Sequence, residues 1–191
     1  SALDKSFQTD NLIAKELKEK GVKEVKGFLL DASYFDNPII IDGTSASSNP
    51  YDALNTALLA NFNTINVRKL KNGAIVSAEP QTPLTPIAIE MAKKSPANGP
   101  VNLAQDRTRS IKYVGELLAE FLKKEGVMAS GTIQLGTIPE NSELLDTHYN
   151  SQTLSEVIKG LLEFSTNLTA NQVFLTMGAE VYGAPATVNK G

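Results

Sequence analysis

Ser165 and Asn167 stand between two stretches of helical sequence, and both side chains could take part in chemistry. A serine hydroxyl can pass a proton within hydrogen-bond reach, and an asparagine amide can hold a bound group through its donors and its acceptor. Both residues are also good helix caps, so the pattern by itself favours a helix-to-helix junction at which one of them caps the second helix. A second Ser-x-Asn, at Ser47-Ser48-Asn49, lies in a Ser- and Pro-rich stretch and is predicted to be a turn.

The other candidate groups are predicted to be structural. His148, the only histidine, lies in a polar connection, and we interpret it as solvated. Asp31, Asp36 and Asp42 could bind a hard cation, but their spacing matches no calcium loop, which favours strand-end and turn roles. The stretch Gly178–Gly183 has the glycine spacing of a phosphate loop without the lysine that would reach the phosphates. We therefore expect neither a metal nor a cofactor.

Composition excludes several classes of function. Of 191 residues, 41% are hydrophobic, which is enough for a core, and the net charge is −3. Clustered Lys and Arg, the mark of a nucleic-acid surface, are absent from the sequence. No apolar run approaches the roughly 18 residues of a membrane span. The sequence has no cysteine, which excludes thiol catalysis, zinc–thiolate sites and disulfides.

The first half of the sequence predicts a mixture of helices and strands. The expected elements are a helix capped by Thr9 or Asp10 and ended by Gly21, a buried strand at Gly27–Leu30, a helical piece at Tyr51–Leu59, and a hairpin that joins Asn63–Leu70 to Ala74–Ala78 through a turn at Asn72-Gly73. Because short strands and helices alternate irregularly, the pattern indicates an α+β or mixed α/β domain.

The second half contains the strongest helical pattern, Arg107–Lys124, which Gly126 ends. Its apolar stripe is predicted to be Ile111, Val114, Leu117, Leu118, Phe121 and Leu122. The other expected elements are a helix at Ile87–Lys94, a loop at Ser95–Pro100, a strand at Gly131–Leu135, a polar connection at Pro139–Asn150, a helix that begins at the capping box Thr153-x-x-Glu156, and a last helix that ends at Gly178.

Five segments, taken in order, carry a resemblance to a known family. They are Asp4–Leu12, Gly27–Phe35, Leu59–Val67, Tyr113–Ile133 and Ser151–Gly178. The second of them is similar to a family segment in which a short apolar strand leads to Asp-x-Ser-x-Phe, and the last contains the Ser-x-Asn motif between two helices. In this order and spacing the sequence resembles the low-molecular-mass class C penicillin-binding proteins, the D-Ala-D-Ala carboxypeptidase/endopeptidase family.

The resemblance implies an insertion domain of mixed strands and helices at residues 1–138, and helices of the transpeptidase-like domain at residues 139–191. Ser-x-x-Lys and Lys-Thr-Gly, which complete such sites, do not occur in the sequence, so the resemblance implies a fragment. By carry-over, Ser165 is the catalytic proton-relay hydroxyl, and Asn167 binds the peptide backbone of the substrate. The sequence departs from the family at Glu163-Phe164, where a lysine is common, and at Asn171, where an acidic residue is common.

The implied function is that of a serine-type carboxypeptidase/endopeptidase which acts on peptidoglycan stem peptides ending in D-Ala-D-Ala and binds β-lactams when complete. The implied location is exported, in the periplasm or cell envelope. We expect no nucleic-acid partner and no membrane span in this chain. The alternatives are a non-catalytic, wall-associated binding or interaction domain that kept the scaffold, and an unrelated α+β domain.

Overall fold

The computed structural model describes residues 2–43, 47, 52–95, 98–103 and 106–191, with side chains from residue 11 onward. Within these ranges the chain forms five α-helices and seven short strands, which confirms the predicted α+β class. In chain order they are α1 (Ala2–Glu19), β1 (Glu24–Val25), β2 (Phe28–Leu30), β3 (Thr64–Lys69), β4 (Ile75–Ser77), α2 (Pro86–Lys94), β5 (Gly99–Asn102), α3 (Arg107–Lys124), β6 (Met128–Ala129), β7 (Ile133–Leu135), α4 (Leu154–Phe164) and α5 (Asn167–Tyr182).

The strands that the structure describes form three small sheets. β1 pairs with β6 and β2 pairs with β7, both in parallel, and β3 is the central strand of an antiparallel sheet in the order β4-β3-β5. The predicted hairpin is confirmed by the pairing of Val67 with Ser77 and of Lys69 with Ile75. None of the helices in the described part of the chain combines the length and apolar character needed to cross a bilayer.

Helix α3 is the centre of the main core, and its predicted bounds are confirmed. The Asp106 side chain caps it by accepting a hydrogen bond from the Arg109 amide at 3.1 Å. Gly126, with φ of +82°, ends it. A Cβ added at Gly115 would lie 2.8 Å from side-chain atoms of both Leu30 and Ile133, so the helix lies directly on β2 and β7.

The buried face of α3 is turned slightly away from the predicted stripe. Phe121 is buried as predicted, whereas Val114 and Leu118 are only partly buried. Tyr113, which the stripe omitted, is fully buried. The face is turned because α3 packs on α1 and α2 as well as on the strands, and a stripe of aliphatic residues cannot show how many neighbours a helix has.

Three predicted boundaries in the first hundred residues are wrong. α1 begins at Ala2 and not after Thr9 or Asp10. The predicted helix at 51–59 is not formed over residues 52–59, where Thr56 Oγ1 bonds to the Leu58 carbonyl and so competes with helical hydrogen bonding. The predicted loop at 95–100 overlaps β5, an edge strand that pairs with β3 and therefore tolerates Pro100. Tyr51, like Ser48-Asn49 of the predicted turn, lies outside the described residues.

The last helix is longer than predicted, because it continues past Gly178 to Tyr182 and ends at Gly183. Gly178 serves close packing instead of chain termination. A Cβ at this position would lie 2.6 Å from backbone atoms of both Lys190 and Gly191. A glycine within a helical pattern can therefore allow close backbone packing instead of ending the helix.

Glu116 links α3 to the beginning of α2. Its carboxylate accepts a hydrogen bond from the Ile87 amide at 2.9 Å and another from the Thr85 side chain. The acid is half-buried, and burial raises its pKa above the ordinary value of 4.5 although both hydrogen bonds oppose the change. This carboxylate therefore supports the N-terminus of α2, and burial makes its ionised form less favourable than its protonated form.

We expect Phe121→Ala to lower the free energy of unfolding by about 3–5 kcal/mol, because the ring is enclosed by the core and its loss leaves a cavity. Leu118→Ala, on the same helix but only partly buried, is the matched control and should cost clearly less. Chemical denaturation monitored by circular dichroism measures both. A loss below about 1 kcal/mol for Phe121→Ala would place the buried face elsewhere.

Glu116→Gln tests the charge dependence at the start of α2. A raised pKa in the folded state means that the folded protein binds this proton more tightly than the unfolded chain. The proton's stabilisation is complete below the ordinary value of 4.5 and is lost as pH rises through the folded pKa. The stability of the variant relative to the parent should therefore increase between about pH 4 and about pH 7, measured by urea denaturation. If the difference in stability between variant and parent does not change with pH, the pKa of Glu116 is not raised in the folded protein.

Candidate active site

The helix that leads to the Ser-x-Asn motif begins at the predicted capping box. Thr153 accepts a hydrogen bond from the Glu156 amide at 3.3 Å, and the Glu156 carboxylate accepts one from the Thr153 amide at 2.8 Å. This reciprocal pair fixes the start of α4 at Leu154. In α4, all of which the structure describes, no residue is fully buried, so contacts of α4 with a core do not position the motif.

Ser165 follows α4 directly and adopts the left-handed conformation, with φ of +49° and ψ of +46°. Its amide donates a hydrogen bond to the Leu161 carbonyl, and its left-handed backbone then ends the helix. Glycine is the usual residue at this position, because a side chain there costs about 1–2 kcal/mol. A strained, exposed serine in place of glycine is the kind of outlier that points to a function.

Asn167 is the first residue of α5, and Thr166 holds the N-cap position. The interpretation of Ser165 or Asn167 as the cap of this helix is therefore wrong. Thr166 makes no side-chain capping bond with any described residue. Ser165 and Asn167 are both exposed, at the junction between α4 and α5.

The start of α5 packs on residues 52–62, a segment outside the helices and strands named above. Leu168 is buried against Ala53, with Leu59 and Phe62 packed around them. Asn55 Nδ2 donates to the Leu168 carbonyl at 3.3 Å. This contact brings a segment from the first third of the chain to within one residue of Asn167.

Gln172, one turn further along α5, completes the contact with this segment. Its side-chain oxygen accepts a hydrogen bond from Asn55 Nδ2 at 3.1 Å, and its side-chain nitrogen donates to the Thr56 carbonyl at 2.9 Å. Asn55 and Gln172 are not predicted from the sequence, because neither belongs to a motif and they lie more than a hundred positions apart.

A left-handed turn joins this segment to β3. Asn61, Phe62 and Asn63 all have positive φ, at 48°, 52° and 45°. Each such residue costs about 1–3 kcal/mol and persists only where the surroundings hold it. Asn63 is fully buried, and its side-chain amide has no hydrogen-bond partner among the residues that the structure describes.

The Glu79 carboxylate accepts four hydrogen bonds beside the left-handed turn, one of them from the turn itself. One carboxylate oxygen accepts from the Asn66 amide at 3.0 Å and from Asn66 Nδ2 at 2.7 Å. The other accepts from Thr82 Oγ1 at 2.7 Å and from Asn61 Nδ2 at 3.3 Å. The carboxylate therefore ties the turn to the β3–β4 hairpin, and through it to the main core.

His148 does not belong to this site, and it is not solvated as predicted. Its side chain is 14% exposed, and Nδ1 lies 3.2 Å from the Glu16 carboxylate of α1. Close by, Lys20 of α1 forms an ion pair with Asp146. These contacts fasten the polar connection before α4 to α1, which is a structural role for the only histidine.

Asp31 and Asp36 have the structural roles predicted for them. The Asp31 carboxylate accepts hydrogen bonds from the amides of Ser33 and Ile138, both at 2.8 Å. A hydrogen bond from the Ser33 side chain, together with these two amide bonds, holds the pKa of Asp31 below its ordinary value. Asp36 accepts a bond from the Asn37 amide at 2.8 Å. In the described ranges no three acidic or histidine side chains are grouped so as to hold a metal ion.

A cavity of about 330 Å³ lies beside these residues, at the carboxyl ends of β2 and β7. Its polar lining includes Asp31, Asp36 and Arg107. Arg107 donates to the Ala32 carbonyl at 3.3 Å, and burial lowers its pKa. Neither Ser165 nor Asn167 lines this cavity, so it is separate from the candidate site.

Comparison with known proteins assigns the chain to a family. The model of the D-Ala-D-Ala carboxypeptidase 3 (S13) family matches residues 96–191, which is half of the chain and includes Ser165 and Asn167. The chain belongs to this family. The match confirms the predicted kinship with low-molecular-mass class C penicillin-binding proteins.

Two similar proteins are longer than this chain. A D-alanyl-D-alanine carboxypeptidase of Actinomadura sp. (strain R39) is 25% identical over 90% of the chain and 39% of that protein. Penicillin binding protein 4 (dacB) of Haemophilus influenzae superposes with a TM-score of 0.67 at 18% identity, over 94% of the chain and 47% of that structure. The present chain thus spans less than half the length of these two proteins, and it shares the fold of the Haemophilus influenzae protein over the part that superposes.

The left-handed conformation of Ser165 predicts the stability of its variants. We expect Ser165→Gly to be more stable than Ser165→Ala by about 1 kcal/mol, because only glycine escapes the cost of a side chain at positive φ. Lys159→Gly, at an exposed right-handed position inside α4, is the control and should destabilise by about 1 kcal/mol. Thermal denaturation compares them. Equal stability of the Gly and Ala variants would mean that Ser165 is not left-handed in solution.

Proposed function

We propose that this chain is part of a serine-type D-Ala-D-Ala carboxypeptidase/endopeptidase that acts on peptidoglycan stem peptides. The observation that carries the proposal is the exposed Ser-x-Asn turn, in which a strained serine occupies a position suited to glycine, in a chain of the S13 family. Strain that stability does not require is expected where a side chain has a task. The similarity to a D-alanyl-D-alanine carboxypeptidase and to a penicillin binding protein supports the same function.

In this proposal, Ser165 relays a proton and Asn167 binds the substrate. The Ser165 hydroxyl passes a proton between the lysine that activates the nucleophile and the departing amine, so the leaving group is not expelled as an anion. The Asn167 amide has two donors and one acceptor, which can hold the peptide backbone beside the scissile bond. Both side chains face solvent, as these roles require.

We propose further that the nucleophile comes from a part of the protein outside these 191 residues. The sequence contains neither Ser-x-x-Lys nor Lys-Thr-Gly, and it corresponds to less than half of its relatives. The proposed partners of the complete protein are peptides ending in D-Ala-D-Ala and β-lactams. The proposed location is exported, in the periplasm or cell envelope, where peptidoglycan is found. A cofactor has no step to perform in this mechanism.

In the complete protein, Ser165→Ala should slow acylation by a labelled penicillin by a factor on the order of 10²–10⁴, the usual contribution of a positioned proton-transfer group. The melting temperature should be nearly unchanged, since the side chain is exposed and alanine keeps the strain. Thr166→Ala, at the neighbouring position, is the control and should acylate much faster than Ser165→Ala. The 191-residue chain alone should form no penicillin adduct in mass spectrometry.

Two results would sink this proposal. Normal acylation of Ser165→Ala would remove the serine from the mechanism. An absence of any acylation in the parent protein would favour the non-catalytic, wall-associated binding domain, for which the missing nucleophile motif is the supporting observation.

A further inference from the structure

We propose that Asn55 and Gln172 are positioning residues for the reaction, because they set where the Ser165–Asn167 turn stands relative to the rest of the site. This inference rests on the proposed function. The two side chains form one connected unit: Asn55 Nδ2 donates to Gln172 Oε1 at 3.1 Å and to the Leu168 carbonyl at 3.3 Å, and Gln172 Nε2 donates to the Thr56 carbonyl at 2.9 Å.

The unit acts on the part of α5 closest to the motif. Leu168 follows Asn167 directly, and Gln172 lies one turn later on the side of α5 that faces residues 52–62. The rest of the turn has weak support. The preceding helix α4 has no fully buried residue, and Thr166 makes no side-chain capping bond with any described residue. The location of the turn therefore depends on how α5 sits on this segment.

Apolar contact alone would not fix that location. Leu168 is buried against Ala53, Leu59 and Phe62, and such contact is non-directional. Three hydrogen bonds to defined atoms are directional, and a slide of α5 by one residue moves it about 1.5 Å, which would break them all. A displacement of about 1 Å at a reacting group can cost about 10²-fold in rate. The amide pair is thus suited to hold the register that the chemistry needs.

Stability does not account for this pair. Replacing two hydrogen-bonded partners by apolar groups of the same shape is often nearly neutral for folding. Asn55 is 8% exposed, so its amide is nearly buried at a position where an apolar side chain is the more common choice. The two amides add directionality that an apolar pair lacks, which is why we assign them to the geometry of the turn.

The test compares Gln172→Met with Thr176→Met in the complete protein. Methionine has nearly the length of glutamine but lacks its amide, and Thr176 lies one turn further along α5 with an exposed side chain. Gln172→Met should lower the rate constant of penicillin acylation about 10–100-fold, measured at a temperature where both proteins are folded, because loss of the donor to the Thr56 carbonyl also lowers the melting temperature. Thr176→Met should acylate as the parent does.

A double variant separates positioning from general damage. If Gln172 acts through the turn, Gln172→Met should slow acylation much less in a Ser165→Ala background than in the parent, because residues that act as a unit are non-additive. Full additivity would overturn the positioning role, as would parental acylation of Gln172→Met. In both cases a slow Ser165→Ala variant would leave the proposed function intact, whereas a fast one would refute that function itself.

Hydrogen exchange decides the case in which Gln172→Met loses stability. In the 191-residue chain, the amides of residues 165–170 should exchange faster in this variant than in the parent, while those of α3 keep their protection. An equal loss of protection across α3 and the turn would show a general structural role and overturn the inference.

Discussion

The packing of α5 on residues 52–62 is the contact on which the candidate site depends. The Ser-x-Asn turn has little support of its own, because α4 stays at the surface over its whole described length. Leu168 supplies the buried apolar contact, and the amides of Asn55 and Gln172 supply direction. Two exposed polar side chains can then keep a fixed place.

The segment that receives α5 is itself held against strain. Asn61, Phe62 and Asn63 are left-handed, which brings Phe62 to the Leu168 cluster and leads the chain into β3. The Glu79 carboxylate and the pairing of β3 with both of its neighbours offset the cost of these conformations. Because β3 also contributes Ile65 and Val67 to the core under α3, a continuous set of contacts leads from the main core to the turn.

Local patterns predicted the elements that local interactions stabilise. Arg107–Lys124, the β3–β4 hairpin and the Thr153 capping box were predicted correctly, because a periodic stripe, a turn or a cap within a few residues determines each of them. β5 was missed because Gly99-Pro100 reads as a turn, and only pairing with β3 makes it a strand. Gly178 was read as a stop because its contact with Lys190 and Gly191 cannot be seen in local sequence.

The residues of the candidate site also fall into those that local sequence indicates and those that only long-range contacts bring together. Ser165 and Asn167 could be found from sequence, because a motif between two helices is a local feature. Asn55 and Gln172 could not, since their hydrogen bonds join residues more than a hundred positions apart and no period or spacing records such a contact. The left-handed state of Ser165 was also out of reach, because sequence preferences favour glycine there.

The most direct test of the account is whether α5 sits on residues 52–62 in solution. In the isotopically labelled 191-residue chain, nuclear Overhauser effects should connect the side-chain amide protons of Asn55 with those of Gln172, and the methyl groups of Leu168 with Ala53. The same spectrum should connect Leu168 with the ring of Phe62. If all these signals are assigned and the cross-peaks are absent while those within the α3 core are present, then α5 does not rest on this segment, and the proposed positioning of Ser165 and Asn167 is contradicted.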